Sequence, residues 1–275
     1  MYTSEISRTK PTAFLFVIDQ SGSMDELLET EQTKAQFVAD VLNKTLYQLV
    51  IRCTRSDGVR NYFDVGVVAY GSRIGSGFSG ALSSGILHTL SDIEANPLRV
   101  EERIKRVSDG AGGLVEQPTK FPVWFDPKSD GGTPMTAAMT EAAQAIAEWC
   151  DAHPDSYPPT IIHVTDGQST DGDPTVVADA LKQMGTSDGQ CLLFNLHISQ
   201  TGGQAVVFPS NTSGLDEFGK MLFNLSSQFP DHLVTAARDK GYESVSSESK
   251  FFGYKAGYEA IVDFFDIGTR ASNLR

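Results

Sequence analysis

Short apolar runs alternate with longer amphipathic segments along most of this chain. Residues 13–18 are apolar at every position, which is typical of a strand buried on both faces of a parallel sheet. Similar runs predict strands at residues 63–70, 160–165 and 191–198, with a shorter one at 205–208. Between the first two runs, apolar residues recur at helical steps from Leu28 to Leu49, which predicts a helix of about five turns.

The same alternation continues to the last predicted helix, near Ile261–Phe265. A strand, a helix and a further strand in succession imply a right-handed parallel crossover. No repeat, linker or change in composition divides the chain. We therefore predict one α/β domain over residues 1–275, with a doubly wound, Rossmann-like, mostly parallel sheet flanked by helices and a core at about residues 12–270.

Two segments depart from this regularity. Gly75–Gly80 matches GxGxxG in letters, but no helical pattern follows it, so we predict a flexible hairpin loop rather than a dinucleotide site. Residues 92–130 contain prolines and glycines that should break any long element, yet they are too rich in aromatic residues for disorder. This stretch is predicted to be a structured insertion over the rim of the sheet, in which residues 99–107 form either a strand or a short helix.

Composition excludes several classes of partner. The 275 residues carry 22 basic and 35 acidic side chains, a net charge of −13, which argues against a nucleic-acid partner. No apolar run approaches membrane-spanning length, and residues 1–12 lack the apolar core of a signal peptide. We therefore expect a cytoplasmic protein without a membrane partner.

Cysteine usage agrees with that expectation. Cys53, Cys150 and Cys191 are odd in number, widely spaced and without a CxxC pair. This pattern predicts reduced thiols rather than a disulfide framework or a zinc site.

Oxygen-bearing side chains cluster where predicted strands end. Asp19, Ser21 and Ser23 follow the first strand, Thr133 follows two glycines, and Asp166 ends the strand at 160–165. Taken singly, these residues fit ordinary turns and helix caps. In an open α/β sheet, however, such loops gather at the edge where strand order reverses. Together they offer five oxygen side chains suited to a hard cation such as Mg²⁺, with Mn²⁺ or Ca²⁺ as alternatives.

These three motifs, D-x-S-x-S, G-G-T and T-D-G in this order, resemble the von Willebrand factor A (VWA) domain with its metal-ion-dependent adhesion site (MIDAS). The resemblance implies that Ser21 and Ser23 ligate the metal, and that Thr133 ligates it directly or through water. Asp19 and Asp166 would hold waters and orient the hydroxyls. It also implies one antiparallel edge strand, which we place near residues 86–90, and a vacant coordination position for a partner's carboxylate.

The chain departs from the adhesive extracellular members, because it shows no signal peptide and no cysteine pair bracketing the domain, and because it carries the insertion at residues 92–130. It looks more like intracellular prokaryotic VWA proteins, some of which are associated with kinases, phosphatases or AAA-type ATPases. The function that the resemblance implies is a non-enzymatic module that binds Asp or Glu of a partner protein through Mg²⁺.

The alternative is a metal-assisted hydrolase or phosphatase that uses the same residues, with Asp19 as nucleophile. Against it, no lysine or histidine falls in the three loops to act as acid or base. His163 is predicted to be a buried histidine within a strand.

Overall fold

The computed structural model describes residues 2–28, 31–108, 113–199 and 205–271. Within that part, a central sheet has eight strands. Numbered in chain order, they are β1 (Thr12–Asp19), β4 (Phe63–Tyr70), β5 (Ile74–Ser76), β6 (Leu87–Thr89), β9 (Thr160–Thr165), β12 (Leu192–Ile198), β13 (Val206–Val207) and β14 (Phe252–Ala256). The separate two-stranded ribbons are β2 (Thr54–Arg55) with β3 (Gly58–Val59), β7 (Arg99–Ser108) with β8 (Leu114–Val123), and β10 (Gly185–Thr186) with β11 (Gly189–Gln190).

The sheet is mostly parallel, as the sequence predicts. β1 lies between β4 and β9, and β12 and β14 continue the parallel part. Short antiparallel strands lie at both edges: β5 and β6 pair with β4, and β13 pairs with β14. The antiparallel strand expected near residues 86–90 is thus confirmed as β6. Gly75 lies in β5 opposite Ala69, so part of the GxGxxG segment is strand, and a short 3₁₀ helix at Gly80–Ser84 follows it.

Helices cover both faces of the sheet. They are α1 (Lys34–Cys53), α2 (Leu90–Ala95), α3 (Met135–Ala152), α4 (Thr175–Gln183), α5 (Glu217–Leu225), α6 (Asp231–Arg238) and α7 (Tyr258–Gly268). Alternate residues of β1 point to opposite faces. Phe14 and Phe16 belong to the core with α1 and α7, whereas Leu15 and Val17 belong to the core with α3. This packing on both faces explains why residues 13–18 of β1 are all apolar.

The order of the strands creates one reversal point. The chain leaves β1 toward β4 on one side and later returns as β9 on the other side. Loops that follow β1 and β9 therefore diverge at their carboxyl ends and leave a crevice between them. Asp19 is the last residue of β1, and Thr165 is the last residue of β9. The predicted site residues thus flank the reversal point.

The predicted insertion contains a long β-hairpin. Its segment 99–107, left open between strand and helix, belongs to β7, which pairs antiparallel with β8. The expectation that prolines break every long element is wrong here, because β8 contains Pro118 and Pro122. Both strands of a two-stranded ribbon are edge strands, where a proline removes no ladder hydrogen bond if its nitrogen faces outward. Residues 109–112 of the insertion lie outside the described residues.

Two further elements differ from the prediction. α1 begins at Lys34, so buried Leu28 precedes the helix instead of belonging to it. The sequence analysis missed β14, the last parallel strand of the sheet. Its run is interrupted by Gly253 and Lys255, which hides the strand from a search for continuous apolar residues. Within the described residues, no helix has the length and apolar character needed to cross a membrane.

Candidate metal-ion site

Asp19 is held in place on both of its carboxylate oxygens. It is 1% exposed; Oδ1 accepts a hydrogen bond from the backbone N–H of Ser21 at 2.8 Å, and Oδ2 accepts one from the Thr165 hydroxyl at 2.8 Å. Burial raises the pKa of Asp19, and these hydrogen bonds only partly oppose the increase. A desolvated carboxylate of this kind is favoured by a nearby cation.

Ser21 and Ser23 bring their hydroxyls together above Asp19. The two Oγ atoms are 3.1 Å apart, and the Ser23 hydroxyl donates to Asp166 Oδ1 at 2.6 Å. A short 3₁₀ turn at Gly22–Asp25 produces this convergence. The hydroxyl pair therefore connects the loop after β1 to the loop after β9.

Thr133 lies in a turn that is fixed to both of these loops. The Gly131 carbonyl accepts a hydrogen bond from Gly22 N–H at 3.0 Å. Gly131 has φ +85°, and a Cβ there would collide with the backbone of Ser72, so the turn requires glycine. Thr133 N–H donates to the Thr170 hydroxyl, and Thr170 N–H donates to the Thr133 carbonyl. Within the described residues the Thr133 hydroxyl itself makes no hydrogen bond, so the side chain is free to ligate.

Lys34 is a site residue that the sequence analysis missed. Its ammonium group donates to Asp166 Oδ2 at 2.9 Å and to Glu26 Oε2 at 2.6 Å. The side chains of Lys34 and Asp166 are 4% and 0% exposed, whereas that of Glu26 is 61% exposed. Burial alone would lower the pKa of Lys34, but the hydrogen bonds to Glu26 and Asp166 outweigh it and raise the pKa above its usual value.

Lys34 stands out only once the start of α1 is known from the structure. It is the first residue of α1, where a positive charge is disfavoured by the helix dipole. A lysine at that position therefore needs a compensating anion, which the Asp166 carboxylate provides. The same contact revises the argument against catalysis: no lysine lies in the three motif loops, but one reaches the site from α1. Because its pKa is raised, Lys34 remains protonated near neutral pH and is unsuited to act as a general base.

The donor set fits a hard divalent cation. In an octahedral shell with Mg–O bonds of about 2.1 Å, adjacent ligand oxygens are about 3.0 Å apart, close to the 3.1 Å between the serine hydroxyls. The remaining donors are the Thr133 hydroxyl and the Asp19 and Asp166 carboxylates, which are oxygen ligands as well. Among the described residues, no group of three or more His, Cys, Asp or Glu side chains is arranged to hold a metal. The candidate site thus depends on hydroxyls.

The histidines contribute no ligand to this set. His163 is fully buried, as predicted, and its ring bonds the Tyr70 hydroxyl at 2.8 Å and Asn195 Oδ1 at 2.9 Å. His197 lies beside the backbone of Asp166, and burial lowers its pKa to about 4. Both rings are therefore neutral at pH 7 and act as packed, hydrogen-bonded core residues.

The sequence matches no protein-family model and no curated protein. Among solved structures it is similar to proximal thread matrix protein 1 from the mussel byssus, at 16% identity and a TM-score of 0.43, over 80% of this chain and 42% of that one. A second structure of the mussel protein has zinc in a MIDAS motif, at 16% identity and a TM-score of 0.43, over 81% of this chain and 40% of that one.

The chain is also similar to the vWF domain of the type V pili tip protein Mfa5 from Porphyromonas gingivalis, at 14% identity and a TM-score of 0.31, over 58% of this chain and 39% of that one. This chain therefore covers less than half the length of each of these three structures. Likenesses this weak assign no function to the chain.

Proposed function

We propose that this chain is a VWA-type, metal-dependent protein-interaction module. The observation that carries the proposal is the convergence of the Ser21 and Ser23 hydroxyls, 3.1 Å apart, with buried Asp19 and Asp166 at the reversal point of the sheet. Ser21, Ser23 and Thr133 would hold the cation, which we propose to be Mg²⁺, with Mn²⁺ or Ca²⁺ as substitutes. When bound, the ion supplies a coordination position that is open to a carboxylate oxygen of a partner's Asp or Glu.

The chain's own residues position the ligands. Thr165 and the Ser21 backbone fix Asp19, so that its charge lies behind the hydroxyls. The Ser23 hydroxyl donates a hydrogen bond to Asp166. This bond directs the Ser23 lone pairs away from Asp166 and toward the crevice. Thr170 holds the Thr133 backbone while leaving its hydroxyl unengaged in the described part of the chain. Hydroxyl ligands carry no charge, so a bound cation would keep much of its attraction for an incoming carboxylate.

We further propose that the site binds its ligand without turnover. Lys34 is held protonated by two carboxylates, and the neutral ring of His163 is fully engaged with Tyr70 and Asn195. Asp19 has both oxygens bonded within the protein and is 1% exposed, which opposes a role as nucleophile. A phosphatase assay with Mg²⁺ tests this point: robust turnover that disappears in Asp19→Ala would overturn the binding proposal.

Metal binding itself is tested by thermal unfolding with and without Mg²⁺ or Mn²⁺. We expect the metal to raise the melting temperature of the wild type, and the double variant Ser21→Ala with Ser23→Ala to lose that increase while staying folded. Ser83→Ala with Ser84→Ala, a pair of exposed serines outside the three motif loops, serves as the control and should retain it. An unchanged increase in the Ser21/Ser23 variant would place the ion elsewhere.

A further inference from the structure

Two of the three cysteines form a close pair that the candidate metal site does not use. Cys150 lies in the last turn of α3, and Cys191 directly precedes β12. Their Sγ atoms are 4.0 Å apart, although the residues are separated by 41 positions. Both are buried, at 7% and 2% exposure, in the core on the α3 face of the sheet. Cys53 belongs to the core on the opposite face.

The local structure permits a covalent bond between these thiols. A disulfide requires the sulfurs to approach to about 2.05 Å, a decrease that rotation of the side chains and a small shift of the last turn of α3 can supply. That turn is followed by residues 153–159, which form no helix or strand. Cys191 also borders an open groove of about 550 Å³, lined in addition by Lys182, Gln190 and Ser227. A small oxidant in this groove would lie beside Cys191, with the Cys150 sulfur 4.0 Å from that of Cys191.

We propose that Cys150 and Cys191 are a redox-active dithiol, which a disulfide oxidant converts to an intramolecular disulfide. The thiolate of one of these cysteines attacks one sulfur of the oxidant, forms a mixed disulfide and expels one thiolate. After losing its proton, the other cysteine attacks the protein sulfur of the mixed disulfide and expels the second thiolate. The protein loses two protons and two electrons, and the oxidant is reduced to two thiols.

The electrostatics of the pair favour the formation of one thiolate. The hydrogen bond between the two thiols lowers the pKa of Cys150 in spite of burial. The same hydrogen bond, together with burial, raises the pKa of Cys191. A thiolate that forms in the pair is therefore stabilised by the remaining thiol.

The disulfide would act on the helix that starts at the candidate metal site. α3 begins at Met135, two residues after Thr133, and Cys150 lies at its far end. A bond to Cys191 would tie this far end to the beginning of β12. Because it closes a long loop in the unfolded chain, we expect oxidation to raise the melting temperature by roughly 5 to 10 °C.

The test treats the full folded chain with oxidised glutathione and then counts free thiols by alkylation in denaturant. The reduced protein has three free cysteines, and after oxidation we expect only Cys53 to be alkylated. Cleavage after lysine and arginine yields residues 129–182, which contain Cys150, and residues 183–220, which contain Cys191. Peptide mapping should find these two peptides joined, and dithiothreitol should separate them. The Cys53→Ser variant is the matched control and should form the same bond.

Three results would overturn the proposal: no reaction, glutathione adducts that persist on Cys150 or Cys191, or bonds that involve Cys53. The mapping is performed on the wild type, so it does not depend on whether Cys150→Ser folds. Where Cys150→Ser does fold, it should lose the increase in melting temperature on oxidation. An increase that persists in Cys150→Ser would also count against the proposal.

Discussion

The candidate metal site and the neighbouring β7–β8 hairpin differ in which side chains they bury and which they expose. At the site, polar side chains are buried and bonded to one another: Asp19 is 1% and Lys34 is 3% exposed. On the hairpin, apolar side chains face outward, with Val100 54% and Ile104 69% exposed. The two regions are nonetheless connected, because the Gln20 side chain donates to the carbonyl of Asp126 at the base of the hairpin.

The two regions differ in what holds them to the protein. The hairpin contacts α1 through Arg103, which pairs with Asp40 at 2.9 Å and stacks on Phe121. Such half-exposed ion pairs contribute about 0–1 kcal/mol each. At its base, by contrast, buried Asn43 accepts hydrogen bonds from the backbone N–H groups of Trp124 and Phe125. We infer that the site is integral to the fold, whereas the hairpin beyond its base is attached through exposed and half-exposed contacts.

Removing the buried ammonium group is expected to have the largest effect. Lys34→Met leaves the Asp166 carboxylate buried without its ionic partner, which should lower the unfolding free energy of the metal-free protein by about 3 kcal/mol. The same change removes a positive charge beside the cation site, so Mg²⁺ should bind more tightly. Urea unfolding and titration calorimetry measure the two effects.

Lys44→Met, an exposed lysine on the same helix, is the control and should change neither quantity. If Lys34→Met had the same unfolding free energy as the wild type, the buried Lys34–Asp166 pair would contribute nothing to stability. Weaker metal binding would show that Lys34 is needed mainly to position Asp166.

A pH titration extends the comparison to the strand beneath the site. Burial lowers the pKa of His163 to about 4, against 6.5 for a free histidine. At this position the unfolded chain therefore binds one more proton between these values, so His163 alone should lower the stability by up to about 1.4 kcal/mol per pH unit as the pH decreases from about 6.5 to 4. Between pH 6.5 and 5, the free energy of unfolding measured in urea should decrease by about 2 kcal/mol less in His163→Gln than in the wild type.

Above about pH 7.5, where His163 is neutral in both the folded and the unfolded chain, its replacement should leave the slope of stability against pH unchanged. If His163→Gln kept the wild-type slope, the acid sensitivity would come from other groups.

Shortening the hairpin should have the smallest effect on stability. Replacing residues 100–122 with a Gly-Ser turn keeps Trp124 and Phe125 on Asn43, so we expect the unfolding free energy to change by less than about 2 kcal/mol, on the scale of the exposed contacts that are lost. Mg²⁺ affinity should stay at the wild-type value. Calorimetry and thermal unfolding provide both readouts, and a loss of metal binding would show that the hairpin supports the site.

The same contrast explains how much the sequence could predict. Largely apolar runs revealed β1, β4, β9 and β12, and with them the edge that carries Asp19 and Asp166, because a strand buried on both faces is apolar at most positions. The D-x-S-x-S, G-G-T and T-D-G spacings then indicated which side chains could meet at that edge.

Features that depend on contacts between distant residues remained hidden. Lys34 meets Asp166 across 132 positions, and no local pattern reveals such a pair. β14 was missed because Gly253 and Lys255 interrupt its apolar run. The hairpin was ambiguous because its prolines suggest broken structure, although an isolated ribbon tolerates them at edge positions.

The most direct test of the metal site is a crystal structure with Mn²⁺, in which anomalous scattering locates the ion. Our account predicts one ion within bonding distance of Ser21 Oγ and Ser23 Oγ, with the Asp19 and Asp166 carboxylates close behind them. An ion bound only at other residues, with the two serine hydroxyls left unligated, would contradict it.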